Sequence, residues 1–465
     1  MRALGLQHLI AIAKFSVVLF VPLSASLAAA GAATDDLTIV HARIVSPPTI
    51  IDDGTIVIRD GRIVYVGSRP TEPDTKRIID AQGQSIIPGL IDTHAHLIIG
   101  PDSDEAYDRA IGAVGATKLE DYLEAGFTTV FSMGDYWPQI LEVRRKLEIG
   151  QLRGPRFLIV GPLITAIGGH PTDVFPECAH SRFCQDHWAG QVGDAEAAVK
   201  LVDQLADAGV DGIKVAFSPE GANHGRDVRA LSPQIARAVI REAHLHHLRV
   251  AVYAGSARRS LEAIQMGGDW LTHPIYDGST GLDPEGNVIP SKDFQAFIAE
   301  AKRRKTVIST TLGDAAPVVD YWGVARMAHT GERYDTMEFG APLADLYQTG
   351  KASMRYLDQQ GITLAFGLSK FRLPVPIAAR TEFKALAEAG FSPEKILEIA
   401  TRSAALEIGR PDLGAIEVGK RADLVMLSAD PTQSIDALEH IGWVMRDGQM
   451  VYKEQAECSE KHRER

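Results

Sequence analysis

The chain has 465 residues, 45% hydrophobic and 23% charged, with a formal net charge of −12. That length suits one large α/β barrel with an accessory domain, and the composition is ordinary for a globular protein. No basic stripe with interleaved aromatics accompanies the acidic balance, which argues against nucleic acid as a partner.

Residues 1–30 read as a secretory signal peptide. Arg2 and Lys14 supply positive charge, an apolar run extends from Phe15 to Leu23, and Ala28 and Ala30 form a small-residue cleavage site. The alternative is an uncleaved anchor, but the run is short for a membrane span. An exported chain, periplasmic or secreted, with no membrane association after cleavage is the expectation.

A β-rich segment follows over 31–88. LTIVHARIV, GTIVIRDGRIVYVG and KRIIDAQGQSIIP are rich in β-branched residues and broken by an Asp-Gly turn, which is hairpin chemistry. The same texture returns over 412–455 in ADLVMLSAD and GWVMRDGQMVYKE, before a tail at 456–465. One small β-sandwich built from both ends of the chain accounts for both segments.

Between them, residues 89–411 alternate short apolar strands with amphipathic helices, the pattern of βαβ units. Eight strands are expected, near 87–94, 128–133, 157–161, 212–216, 249–253, 270–273, 307–311 and 363–367. Ser232-Pro233 and Ser392-Pro393 each pair an N-cap residue with a proline suited to the first helical turn. Eight units predict a (β/α)8 TIM barrel. A doubly wound sheet is the alternative, but no GxGxxG turn or P-loop supports it.

There are three cysteines, Cys178, Cys184 and Cys458. In an exported chain Cys178 and Cys184 are expected to form a disulfide. Their spacing with His180 and His187 also suggests a small metal site, but matches no zinc motif well.

Active sites of such barrels stand at the C-terminal ends of the strands. The first strand ends in Asp92-Thr93-His94-Ala95-His96. Two histidines two apart point to one side of a strand and offer half of a divalent-metal site. The fourth strand carries Lys214 among apolar residues. It is either paired with a barrel carboxylate or neutral, and a neutral amine can add CO2 to become a metal-bridging carbamate. The sixth strand ends in His273. Alone, such a histidine reads as a core or loop residue; beside the other three it reads as a metal ligand.

IIPGLIDTHAHL resembles the first-strand motif of the amidohydrolase superfamily. YLEAGFTTVFSMGD and GPRFLIVGPLITAIGGH resemble the second and third strands of its dipeptidase- and prolidase-like branch, and LGAIEVGKRADLVMLSADP the returning half of its β-sandwich. The resemblance implies a metal-dependent hydrolase acting on C–N or ester bonds of a small molecule through an activated water. It places Lys214 at the position of the carboxylated lysine and His273 at the sixth-strand ligand.

Two positions depart from that pattern. Tyr253 stands where the fifth strand carries a histidine, and Ser369 where the eighth carries the aspartate that binds metal and accepts the proton of water. A tyrosine ligates poorly at neutral pH unless a metal lowers its pKa, and serine is no general base by itself. Tyr253 and Ser369 are therefore the candidate catalytic positions peculiar to this chain. The expected cofactor is one divalent ion rather than two, zinc foremost, though mixed nitrogen and oxygen donors also suit Mn, Fe or Ni.

Asp135, Asp277, Asp314, His170 and His224 have reach to the barrel mouth and are read first as structural or substrate-facing. Lys370 and Arg372 are read as solvated loop charges or as partners of a substrate carboxylate. The competing functions are a binding protein on an inactive barrel, and a lyase or isomerase using Tyr253 for proton transfer. A small-molecule substrate is the expected partner, and a homo-oligomeric state is left open.

Overall fold

The computed structural model describes residues 36–68, 75, 77–98, 101–172, 181–218, 229–275, 280–316, 343–369 and 373–454. The expected signal peptide, the C-terminal tail, Cys178, His180, His224, Asp277, Lys370, Arg372 and Cys458 lie outside the described residues.

Both ends of the chain enter one eight-stranded sheet. Its order is Gln449–Lys453, Ile441–Arg446, Leu424–Leu427, Ser85–Pro88, Leu37–Ser46, Thr49–Arg59 and Arg62–Gly67, with Arg77–Asp80 also paired to Leu37–Ser46. Asp60-Gly61 and Asp447-Gly448 each make a tight hairpin. Asp60 and Gly61 have φ of 48° and 72°, and Asp447 and Gly448 have 51° and 74°. Two successive positive φ values match the twist of antiparallel strands, and aspartate and glycine tolerate them best. The sheet curls over a core that includes Leu37, Ile56, Ile63, Leu424 and Trp443.

The strand expected to run unbroken through 87–94 divides at Gly89. Ser85–Pro88 pairs with Leu424–Leu427, whereas Leu90–Ala95 pairs in parallel with Phe127–Ser132. Gly89 donates its N–H to the carbonyl of Asp423 at 2.8 Å. A Cβ there would lie 2.2 Å from Oγ1 of Thr128, so no other residue fits without displacing a barrel strand.

The barrel strands are Leu90–Ala95, Phe127–Ser132, Arg156–Ile159, Ile213–Ala216, Val250–Tyr253, Trp270–Thr272, Val307–Ser309 and Thr363–Ala365. Parallel pairing joins the first three to one another and the last five to one another. The third strand resumes at Leu163–Ala166, which pairs with the fourth through Ile164 and Val215. The circle closes between eighth and first, where Thr93 donates its N–H to Phe366 at 3.0 Å and Ser369 to His94 at 2.7 Å. A barrel, not an open sheet, is therefore the architecture. Ile91, Phe131, Trp270 and Val307 fill its interior with Ala404 and Ile408, from the segment following the eighth strand.

The Ser-Pro signals mark helix starts. Ser232 accepts from the N–H of Ile235 and Ser392 from that of Lys395, each with proline just inside the helix. Arg156 ties the two domains together. Its guanidinium lies 2.6 Å from Asp423 and 2.8 Å from Asp447, both in the returning segment.

Candidate active site

The first strand is fixed from behind before it presents its histidines. Asp92 is buried and accepts from the N–H groups of His94 at 2.9 Å and Leu368 at 3.0 Å, and from the hydroxyl of Tyr122 at 3.0 Å. One carboxyl thereby links the first strand to the eighth. Asp135 accepts from the N–H groups of Leu97 and Ile98 and from the hydroxyl of Ser132 at 2.6 Å. Burial pushes both acids up to about 6, against the hydrogen bonds that hold their charged forms. Lys118 donates to the carbonyl of His96 at 2.6 Å.

On this frame His94, His96, Lys214 and His273 come together. The ring centroid of His94 lies 5.4 Å from that of His96 and 4.4 Å from that of His273. Nζ of Lys214 is 2.9 Å from Nε2 of His94. His96 directs Nδ1 to the carbonyl of Gly134 at 2.7 Å, so that nitrogen carries the proton and Nε2 keeps its lone pair. Trp188 packs edge-on against the His96 ring.

Burial biases all four groups toward their neutral forms. It pulls Lys214 down to about 7. It also pulls His94 and His96 well below the ordinary histidine value, and the charge of Lys214 adds to both shifts. His273 is lowered by burial too, with Asp314 opposing the shift. A buried set of deprotonated nitrogens is what a divalent ion requires and what protons disfavour.

Nδ1 of His94 is buried without a hydrogen-bond partner. Yet the three imidazoles do not by themselves close a three-ligand cage. Among the described residues, the one group of three histidine, cysteine or acidic ligand atoms within 4.8 Å of one another is Asp203, Glu242 and His246. That group belongs to the outer helices Ala195–Asp207 and Pro233–Leu245 and the turn after the latter. Lys214, standing against His94, is the further nitrogen within reach at the strand ends.

Of the two departing positions, Tyr253 meets the site through its ring and Ser369 lies against it through its backbone. The Tyr253 ring meets that of His273 edge-on at 5.3 Å and lies 5.1 Å from that of His170. Ser369 is 9% exposed and its φ is 55°. His244 and His246 stay at the C-terminal end of an outer helix, paired to Asp269 and Asp203. Cys184 is disulfide-bonded, with its partner outside the described residues, and His187 directs Nδ1 to the carbonyl of Phe183.

Sequence reasoning passed over the support beneath the histidines. Asp92 lies inside the DTHAH run, and a carboxylate two residues before a ligand on an apolar strand is a usable signal. Glu382, which holds the seventh-strand loop, is distant in sequence and leaves no local sign.

A model of the amidohydrolase family matches residues 338–451. Imidazolonepropionase of Deinococcus deserti is 24% identical over 413 residues, covering 82% of this chain and 86% of the relative. A solved Xaa-Pro dipeptidase with bound methionine superposes with a TM-score of 0.71 at 22% identity, over 90% of this chain and 100% of its own. A. niger ochratoxinase does so with a TM-score of 0.71 at 19% identity, over 90% and 96%. The two structural likenesses are likenesses of fold.

Proposed function

We propose that this chain, similar to the amidohydrolase family over 338–451 and to imidazolonepropionase over most of its length, hydrolyses a C–N bond of a small amide or peptide-like molecule at a site built for one divalent ion. The observation that carries the reading is the approach of Lys214 to His94 at 2.9 Å, inside a buried cluster whose four basic groups are all biased to neutrality. Two cations would not be packed so closely; at this distance one nitrogen donates to the lone pair of the other, and a bound ion would draw on both lone pairs instead.

His94, His96 and Lys214 would hold the ion, with His273 beside them. When bound, the ion supplies Lewis acidity toward the scissile carbonyl and lowers the pKa of water. Lys214, neutral through much of the neutral range, is the residue suited to add CO2 and become a carbamate, replacing a poor donor with a carboxylate. Tyr253, edge-on to His273, narrows the space where a fifth-strand donor would sit. Zinc is the favoured ion for a nitrogen-rich set. Export is the favoured location, supported by the signal-like N-terminus and by the disulfide at Cys184.

The test is metal content and turnover of the purified chain. One equivalent of metal, lost in His94→Ala, together with hydrolysis of Xaa-Pro dipeptides or cyclic amides, is the expected result. Two tightly held equivalents would overturn the one-ion reading. A chain that binds no metal from a zinc, manganese or iron series is no metallohydrolase.

A further inference from the structure

The eighth strand carries Ser369 where a carboxylate would accept a proton, so the acidic groups around the site can be asked one by one what they face. Asp92 and Asp135 face backbone. Asp92 is occupied by two N–H groups and a phenol, and Asp135 by two N–H groups and a hydroxyl. Asp314 faces the nitrogens. Its Oδ2 is 3.4 Å from Nδ1 of His273. Thr311 shares the same atom, its Oγ1 being 2.9 Å from Nδ1 of His273.

The loop that delivers these two residues is held in an uncommon conformation. Thr311 has a left-handed φ of 34°, a true outlier for a β-branched residue, and His273, at the end of the sixth strand, is left-handed too at 69°. Such strain persists only where the surroundings over-determine it, and it concentrates at functional sites. Here Thr310 donates its N–H to Ala365 at 2.8 Å, and Asp314 donates its N–H to Thr311 at 3.2 Å. Glu382, fully buried on the helix Val375–Glu388, accepts from the N–H of Gly313. The turn is thus clamped from the eighth strand and from the helix after it, and its rigid product is an acid aimed at one ring nitrogen.

We propose that Asp314, on the loop after the seventh strand, is a positioning residue that holds His273 as the Nδ1–H tautomer with Nε2 bare and turned into the site. This deepens the hydrolase reading and rests on it for its purpose, though not for its geometry. An acid accepting from Nδ1 fixes the imidazole's tautomer and orientation and raises the basicity of Nε2. With Tyr253 in place of a fifth-strand nitrogen donor, Nε2 of His273 is the lone pair left on that side of the site.

The tautomer can be read without turnover. In metal-stripped protein labelled with 15N-histidine, long-range 1H–15N spectra should show His273, assigned by its loss in His273→Gln, with Nδ1 protonated and Nε2 unprotonated. Asp314→Ala should convert His273 to the other tautomer or a mixture. Asp314→Asn, whose amide oxygen still accepts, should keep it, and so should Thr311→Val. In the metal-loaded enzyme Asp314→Ala should lower kcat about 10–100-fold, with metal content retained. Nε2–H in the wild type overturns the proposal, even if Asp314→Ala does not fold. A tautomer lost in Thr311→Val and kept in Asp314→Ala assigns the role to Thr311 instead. If the expected tautomer pattern appears but no amide is turned over, the hydrolase reading fails and the placement of Asp314 stands.

Discussion

Ser369 donates its backbone N–H to the carbonyl oxygen of His94 at 2.7 Å. The residue that departs most from the superfamily pattern thus lies directly against the first histidine of the site. Its φ of 55° is a conformation that aspartate tolerates better than most residues. Ser369→Asp is therefore compatible with the backbone, and its carboxylate would enter the cluster beside His94. Combined with Tyr253→His, it should raise bound metal from about one equivalent toward two in a site of this class. Elemental analysis of the double variant after dialysis decides this; unchanged stoichiometry would show that more than two positions limit the site.

Lys214 is costly where it stands. It is 3% exposed, and burial, opposed by the charge of Asp314, brings its nitrogen down to about 7. Lys214→Met removes that cost while keeping the volume. The metal-free variant should melt no lower than metal-free wild type, and it should bind metal at least tenfold more weakly. A purely structural lysine would give the opposite pair of results, a lower melting point with metal binding intact.

Gly367 offers a steric route to the same site. A Cβ at this position would lie 2.8 Å from Cβ of His94 and 3.1 Å from Cγ2 of Thr311. Gly367→Ala must push one of them aside, and a displacement of about 1 Å can cost about 100-fold in rate. Turnover at saturating substrate should fall by that order, with a circular dichroism spectrum like that of wild type.

Glu407 makes stability depend on pH. It is fully buried, accepts from the Ser309 hydroxyl at 2.9 Å, and burial pushes it up to about 8. The folded state therefore holds a proton that the unfolded chain releases near its ordinary value. The protonated carboxyl contributes fully below that ordinary value, and its contribution is lost as pH rises through about 8. The slope is about 1.4 kcal/mol per pH unit for one proton. Glu407→Gln should flatten the fall in urea midpoint across this window and be the more stable form at its alkaline end. Parallel wild-type and variant curves would show that Glu407 is not the proton that is lost.

Arg156 answers two carboxylates across the domain boundary, and one of them, Asp423, is 5% exposed on its side chain. Arg156→Met leaves that charge buried without its main partner, so unfolding should become easier by about 3–5 kcal/mol. Arg145→Met, which breaks an exposed pair with Glu142, should leave the denaturation midpoint where it is.

The barrel and the two-ended sheet were legible because they rest on local pattern. Alternating β-branched runs, Asp-Gly turns and Ser-Pro helix starts each predicted an element that formed. The break at Gly89 was not legible, because the run through it is apolar without interruption and only the neighbouring Thr128 shows why glycine is required. The cluster of His94, His96, Lys214 and His273 could be anticipated from strand ends. The orientation of His273 could not. It depends on a left-handed turn at Thr311 and on a buried acid, Glu382, that contacts the turn from 69 residues away in sequence.

The sheet shared by the two chain ends has a temporal consequence. Strand Ser85–Pro88 leads directly into the strand bearing His94, and one of its neighbours is Leu424–Leu427, made only after every strand of the barrel. Until then a growing chain exposes the edge of Ser85–Pro88 and lacks the Asp423 carbonyl that fixes Gly89. A polypeptide interrupted before residue 420 would carry every proposed ligand and still lack the clasp that seats the first strand. Arrival of Asp423 and the strand Leu424–Leu427, rather than completion of the barrel, is then the event that seats the first strand.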